Sequence, residues 1–295
     1  MGTRFRLTLL ASNKSKAEQV FSACKAHLDQ REKQWSPWIE GSEIWNINQA
    51  GTTSITLSPE TYSLIQRSLD VSVLTDGAFD ITFASVGYLY RYKENVRPSE
   101  EARRAAVSKV NYRNLSLESN RRLFLRDDGI RIDLGGIAKG ESIDQLKTLL
   151  AKWGVSSAYL SLGGDSYILG KKGSYPWMLG VKHPREQNQV IARIPLEDVA
   201  VSTSGDYERF FMDDGERVHH ILSPTSGLPA DDVMSVTVIG SDAWKTDALS
   251  TSVFVMGMEK GVRLIESLDG YDVIVVDKSG RIFASKGLVS PSDQK

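Results

Sequence analysis

The sequence predicts an α+β fold, with mixed, mainly antiparallel sheets and packed helices in two closely coupled lobes. Three observations lead there. Apolar residues recur at helical spacing in the first half of the chain and again near its end. Short strand-like segments separated by turn residues fill most of the stretch after Ser157. Helices and strands are thus partly segregated, unlike a regular βαβ repeat.

In order, residues 4–11 read as a strand, Ser12-Asn13 as a cap, and residues 14–33 as an amphipathic helix. Residues 35–43 are turn-rich yet carry Trp35 and Trp38, unusual for a plain connector. Ser58-Pro59-Glu60 opens a second helix that runs to Leu74 on the stripe Tyr62, Leu64, Ile65, Leu69 and Val73. Residues 75–80 interrupt the pattern, and a third helix begins near Pro98. Strand signals follow at residues 115–117, 122–125 and 129–134. Gly135-Gly136 then leads into a clear helix over residues 137–153, with Ile143, Leu146, Leu149 and Leu150 on one face.

Eight further strands are expected at residues 158–162, 166–169, 177–181, 190–194, 200–202, 207–211, 218–222 and 233–239. Helices over residues 243–256 and 258–268 precede a final hairpin of residues 273–276 and 282–284 across Asp277-Lys278-Ser279-Gly280. No internal repeat and no long linker divides the chain. It reads as one domain, residues 1–295, with a flexible C-terminal tail at residues 287–295.

Composition removes several function classes. The 295 residues are 41% hydrophobic and 25% charged, an ordinary globular balance, and 36 Lys plus Arg against 37 Asp plus Glu give no field for nucleic acid or an anionic membrane. Cys24 is the only cysteine, which excludes an intrachain disulfide and a thiolate metal cluster. Its apolar helical neighbours, Val20, Phe21 and Leu28, favour a buried structural thiol. No apolar run reaches the roughly 18–20 residues of a membrane span. The start, Met1-Gly2-Thr3-Arg4-Phe5, lacks the charged and apolar regions of a signal peptide, so the chain reads as soluble as given, with a removed export segment left open.

No G-x-G-x-x-G follows a strand, and residues 164–171 miss the P-loop spacing, so Rossmann and P-loop mechanisms are disfavoured. Gly135-Gly136 allows close backbone approach before a helix whose start favours an anion; tight strand-to-helix packing explains the pair equally. Asp247 and Thr251, four apart on a helix, can offer a carboxylate and a hydroxyl to one magnesium ion, and they also suit a helix cap. His219-His220 follows a strand, so the two rings point to opposite faces and only one can enter a given pocket. A single imidazole suits a general base better than zinc, and a structural histidine remains open. No G-x-S-x-G elbow is present.

Taken together, the motifs resemble those of the FAD:protein FMN transferases, the ApbE-type flavin transferases, over nearly the whole chain. The carriers, in order, are Met1-Gly2-Thr3, Ser42-Glu43-Ile44 with Asn48, Thr75-Asp76-Gly77-Ala78-Phe79-Asp80, and Ile132-Asp133-Leu134-Gly135-Gly136-Ile137-Ala138-Lys139-Gly140. Leu162-Gly163-Gly164-Asp165, Ser202-Thr203-Ser204-Gly205-Asp206-Tyr207-Glu208-Arg209, His219-His220-Ile221-Leu222 with Pro224 and Gly227, and Thr246-Asp247-Ala248-Leu249-Ser250-Thr251 complete the set. Each is common alone; eight in one order are specific.

The resemblance implies an ApbE-like fold and a magnesium-dependent enzyme that passes FMN from FAD to a threonine or serine hydroxyl of an acceptor protein, releasing AMP. It places the metal on Gly136, Asp247 and Thr251, the general base on His220, and flavin contacts on Met1, Trp38, Ala78, Phe79, Asp80, Asp133, Lys139 and Ile221. Lys139 would add positive charge beside the pyrophosphate. The implied acceptor belongs to a membrane-associated electron-transfer system. The implied location is the periplasm or the outer face of the cytoplasmic membrane, with the cytoplasm left open. Hydrolysis of FAD to FMN and AMP, or FAD binding without turnover, are the alternatives. Three departures stand out: Trp38 replaces the more usual Tyr, Ser223 replaces the Asp before Pro224, and residues 83–90 replace a small-residue stretch. The second is expected to bear on the orientation of His220, the third on the acceptor or adenine side.

Overall fold

A computed structural model describes residues 2–186 and 188–288 of the chain. Its centre is a seven-stranded sheet of order β1-β5-β6-β9-β12-β13-β14. These strands are β1 Phe5–Leu9, β5 Ala158–Leu162, β6 Asp165–Leu169, β9 Val199–Gly205, β12 Val233–Gly240, β13 Asp272–Asp277 and β14 Ile282–Ala284. Every pairing between described strands is antiparallel. All eight residues of β12 are buried, which requires cover on both faces. Val236 and Val238 meet Leu249, Val253 and Phe254 of helix α7, Ala243–Met256, on one side. Ile239 joins Ile168 and Val201 on the other, beneath Trp177, Leu179 and Ile194. These last three belong to a ribbon of β7 Trp177–Lys182 and β8 Val190–Leu196.

Helix α1, Lys14–Trp35, is started by Asn13, whose side chain accepts from Lys16 N at 2.9 Å. Val20, Cys24, Leu28, Arg31 and Trp35 form its buried stripe, at the spacing of a single helix face. Burial pushes the Cys24 thiol up to about 11, so it is an inert packing group. Helix α2, Glu43–Gln49, starts where the turn-rich stretch ends, in residues for which no element is expected. Its seven residues are too few for periodicity to show, and it stands on the Ser42 cap, which accepts from Trp45 N at 3.0 Å. Helix α3, Pro59–Leu74, begins and ends where the sequence places it, with Ser58 as cap. Two one-turn or two-turn helices follow, α4 Ala84–Gly87 and α5 Glu100–Val107. A small sheet, β2 Ile55–Thr56, β4 Arg122–Leu125 and β3 Leu115–Leu117 in that spatial order, closes over Ile44, Ile47, Leu64 and Ile65.

Residues 129–134 are not the expected strand. Ile130, Ile132 and Leu134 are buried in alternation, which is what the sequence signal reports. Their donors, however, go elsewhere than a ladder: Arg131 N to Ser85 Oγ at 2.9 Å, Ile132 N to Asn48 Oδ1 at 2.7 Å, and Asp133 N to Ile81 O at 3.0 Å. Alternating burial fixes the faces and leaves the hydrogen-bond partner open. Likewise the strands expected at 207–211 and 218–222 shift into a separate ribbon, β10 Phe210–Asp213 and β11 Glu216–His219. The C-terminal end continues as a short turn, Lys286–Leu288, with Leu288 packed beside Ile239. Residues 289–295 of the expected tail lie outside the described residues.

Helix α6, Ala138–Lys152, crosses the start of α7, and their contact positions the site. A Cβ at Gly140 would sit 2.1 Å from Ala243 O, so only glycine permits the approach. Asp144 on α6 accepts from Ala243 N at 3.1 Å and Trp244 N at 2.9 Å, capping α7 from outside that helix. The residue in the local cap position, Asp242, makes no side-chain cap bond. Asp144→Ala is expected to lower stability by about 1–2 kcal/mol, read as a shift in urea midpoint. An unchanged midpoint would show that solvent replaces this cap.

Candidate active site

The expected site residues converge on one cavity of about 410 Å³, lined by Trp38, Ala78, Phe79, Asp80, Asp133, Gly136, Lys139, His220, Ile221, Asp247 and Thr251. Met1 lies outside the described residues, while Gly2 and Thr3 line the wall. The loop before α6 is clamped by Asn48, buried on α2, which donates to Ile132 O at 3.0 Å as well as accepting from Ile132 N. Asp133 accepts from Gly135 N at 2.6 Å and from the Tyr88 hydroxyl at 3.1 Å. Burial raises the Asp133 carboxyl above its usual range.

Helix α7 begins at Ala243, so Asp247 and Thr251 lie inside it and neither caps it. Asp247 instead accepts from Lys139 Nζ at 3.0 and 3.2 Å and from Gly140 N at 3.0 Å. Thr251 lies against the Gly136 backbone: a Cβ on Gly136 would be 3.7 Å from Thr251 Oγ1 and 3.1 Å from the Phe79 ring. The three expected metal positions are therefore neighbours. The donors at the start of α6, in contrast, are largely engaged. Ile137 N and Ala138 N bond Leu134 O, and Gly140 N bonds Asp247.

Lys139 is likewise committed. Its ammonium donates to Gly135 O at 2.9 Å and lies 3.0 Å from Asp165 as well as from Asp247. Burial alone would lower its pKa, but Asp165 and Asp247 more than reverse that, and it stays charged. Asp247 is pushed up by burial and by the Asp165 charge. Two buried carboxylates thus face one ammonium, and Asp165 Oδ2 is buried with no aligned hydrogen bond. This excess of negative oxygen beside the Thr251 hydroxyl fits a hard divalent cation. Among the described residues no group of three or more His, Cys, Asp or Glu is placed to hold a metal ion.

The β10–β11 ribbon delivers the histidine pair. His219 is buried, with Nε2 bonded to Ala230 O at 2.9 Å, whereas His220 reaches the cavity. His220 Nδ1 lies 3.2 Å from Arg209 O, an acceptor only, so Nδ1 carries the proton and Nε2 keeps its lone pair. Enclosure lowers its pKa to about 4, leaving the ring neutral at pH 7. Ser223 takes no part in this: its hydroxyl pairs with Thr225 at 2.9 Å, and the Arg209 carbonyl orients the imidazole. Trp38, 69% exposed, stands at the cavity mouth with its ring centroid 4.8 Å from that of Tyr88.

Asp80 lines the cavity but has both oxygens engaged. One accepts from Thr82 N and Thr82 Oγ1, the other from Tyr112 N at 2.7 Å. Ile221 is buried and presents apolar surface. Asp165, Tyr88 and Arg209 were not singled out from the sequence as site residues. Asp165 carries a readable signal, an acid after Gly163-Gly164 at a strand start. Arg209 closes the motif that begins at Ser202 and Tyr88 lies in the departure at residues 83–90, but neither shows a role by itself; helix α4 and the turn at 206–209 bring them in.

An antiparallel α+β frame with a neutral imidazole, an acidic pair about an ammonium and an indole at one mouth defines a protein for a long ligand, charged along part of its length and aromatic elsewhere. The model of the ApbE family matches residues 1–275, and the chain belongs to that family. It is 32% identical to the FAD:protein FMN transferase of Klebsiella pneumoniae (strain 342), over 97% of this chain and 89% of that one. It is 31% identical to the FAD:protein FMN transferase of Treponema pallidum (strain Nichols), over 92% and 80%. The crystal structure of the ApbE protein from Thermotoga maritima MSB8 superposes with a TM-score of 0.90 at 35% identity, covering 97% of this chain and 94% of that one. The flavin transferase ApbE from Vibrio cholerae gives 0.87 at 25%, covering 98% and 95%.

Proposed function

We propose that the chain transfers FMN from FAD to a threonine or serine hydroxyl of an acceptor protein, releasing AMP. The observation that carries this is the His220 ring, neutral, held at Nδ1 by the Arg209 carbonyl and open at Nε2 in the cavity that Asp247, Thr251 and Gly136 share. A carrier has no need of such a base; the same base could activate water in a hydrolase, and the names of the relatives favour transfer.

The acceptor oxygen forms a bond to the FMN phosphorus while the bond from that phosphorus to the AMP oxygen breaks. The hydroxyl proton passes to His220 Nε2. Asp247, Thr251 and the Gly136 backbone would hold a magnesium ion, which supplies charge neutralisation on the pyrophosphate. Lys139 offsets part of the cost of ionising the buried Asp247 and holds it in place. Trp38 gives the isoalloxazine ring an apolar plane, with Tyr88 behind it.

The test is mass spectrometry of a threonine-bearing domain from a membrane-bound electron-transfer subunit after incubation with this protein, FAD and magnesium. An FMN-sized gain with stoichiometric AMP is expected. Free FMN and AMP without an adduct would replace transfer by hydrolysis, and copurified FAD that stays intact would replace both by storage.

The Asn48 clamp gives a second check. Asn48→Ala leaves the buried Ile132 N–H without a partner and its C=O with only the Tyr88 hydroxyl, and the loop bearing Asp133 and Gly136 loosens. Stability should fall by about 1–3 kcal/mol, and FAD should bind more weakly. Unchanged FAD affinity would show that the loop is held by its other contacts.

A further inference from the structure

The β10–β11 ribbon stands apart from the seven-stranded sheet, and its two edges differ. Across it Phe210 faces His219, Phe211 faces Val218, Met212 faces Arg217 and Asp213 faces Glu216. One step beyond, His220 N donates to Arg209 O at 3.1 Å, which makes Arg209 and His220 a hydrogen-bonded pair. Bonded and non-bonded pairs alternate in an antiparallel ladder. Phe211 and Asp213 therefore bond across the ribbon, and the backbone groups of Phe210 and Met212 point away from β11. The outer edge of β11 is covered at His219, whose carbonyl accepts from the Tyr92 hydroxyl at 3.2 Å.

The outer edge of β10 has no strand partner among the described residues. Phe210 and Met212 are 38% and 55% exposed there. Open, apolar strand edges invite pairing with another chain unless they are blunted. This one is also stiff. The Arg217 guanidinium lies 4.0 Å from the Phe210 ring centroid, and Arg97 holds Asp213 at 2.6 Å at the far end. Its other end runs directly into Arg209, whose carbonyl orients His220.

The geometry points to β10 as the docking edge for the acceptor protein: an extended acceptor segment adds to it as a strand, bonds main chain to main chain at Phe210 and Met212, and presents its hydroxyl to His220. This inference rests on the transferase reading, which requires a protein hydroxyl at Nε2. An antiparallel addition brings the segment from the ribbon tip toward the cavity. At about 3.3 Å per residue along a strand and about 4.8 Å between strands, β10 separates the added segment from His220, so the hydroxyl-bearing residue lies a few residues beyond the one paired with Phe210, where the segment passes Arg209 and turns into the cavity. Selection then comes from extended backbone and from small or apolar side chains over Phe210 and Met212.

Met212→Pro tests it on the whole chain, since its outward N–H has no role in the ribbon and edge strands accept proline. With the same threonine-bearing acceptor domain, KM for that domain should rise about tenfold, with FAD affinity unchanged. In the unaltered protein, adding the acceptor domain should slow hydrogen exchange at the Phe210 and Met212 amides. Wild-type KM in the variant overturns the docking edge and leaves the transferase reading intact. No adduct from the unaltered protein overturns the transferase reading and the inference with it. If the variant loses FAD binding through misfolding, the exchange measurement decides, and unprotected Phe210 and Met212 amides overturn the inference.

Discussion

Asp247→Asn is expected to reduce FMN transfer at least about a thousandfold, with little loss of folded protein. The substitution keeps the shape of the side chain. Asparagine Oδ1 can still accept from Gly140 N, and Lys139 retains Gly135 O and Asp165 as partners. What changes is charge: the buried pair of carboxylates facing one ammonium becomes a balanced one-to-one pair. A site with no excess negative charge loses its hold on a divalent cation. Calorimetric titration with magnesium in the presence of FAD should therefore show binding to the wild-type chain and none to the variant. Transfer at the wild-type rate, with the melting temperature also unchanged, would sink the placement of the metal on Asp247.

His220→Ala is expected to lower kcat by roughly a hundred- to ten-thousandfold while leaving FAD binding close to that of the wild type. The pH profile makes the claim more specific. The imidazole is lowered to about 4, chiefly by burial, so the base is in its active, neutral form across the neutral range. The His220 limb of activity should fall only as pH drops through about 4, not near the usual histidine value of 6.5. Stability follows the same sign. The unfolded chain takes up the proton first, so the contribution of the neutral ring is present above about 6.5 and is lost as pH falls toward 4. A His220-dependent limb near 6.5 would mean that the ring titrates in open water.

Much of this was legible in the sequence, and the failures share one cause. Strands that bury one face in alternation, such as β5, and helices with a long stripe, such as α3, begin and end where expected. Residues 129–134 carried the same alternation yet formed no strand, because the partners of their backbone lie 46 to 84 residues away in sequence on Ser85 and Asn48. Helix α2 was hidden by its brevity. The ordered motifs led to residues that share one cavity, but not to how its charges are spent. Lys139 looked available for a phosphate, and it is held by two carboxylates, one of which, Asp165, lies in a quoted motif that gave no sign of this pairing. The cap reading of Asp247 failed for a similar reason: Asp144, a hundred residues away on another helix, already does that work.

The contact between α6 and α7 also sets when the chain becomes competent. Lys139 and Asp247 are separated by 108 residues, and the Gly140 crossing, the Asp144 cap and the ion pair form at one junction. A nascent chain that has emerged only as far as β12 carries Asp133, Gly136 and Lys139 but has no α7 to meet them. Because a ligand stabilises only the state that binds it, neither flavin nor metal can assist folding before α7 arrives. Whatever core the first 240 residues form before then is built without flavin or metal, and the cavity cannot close until α7 has emerged.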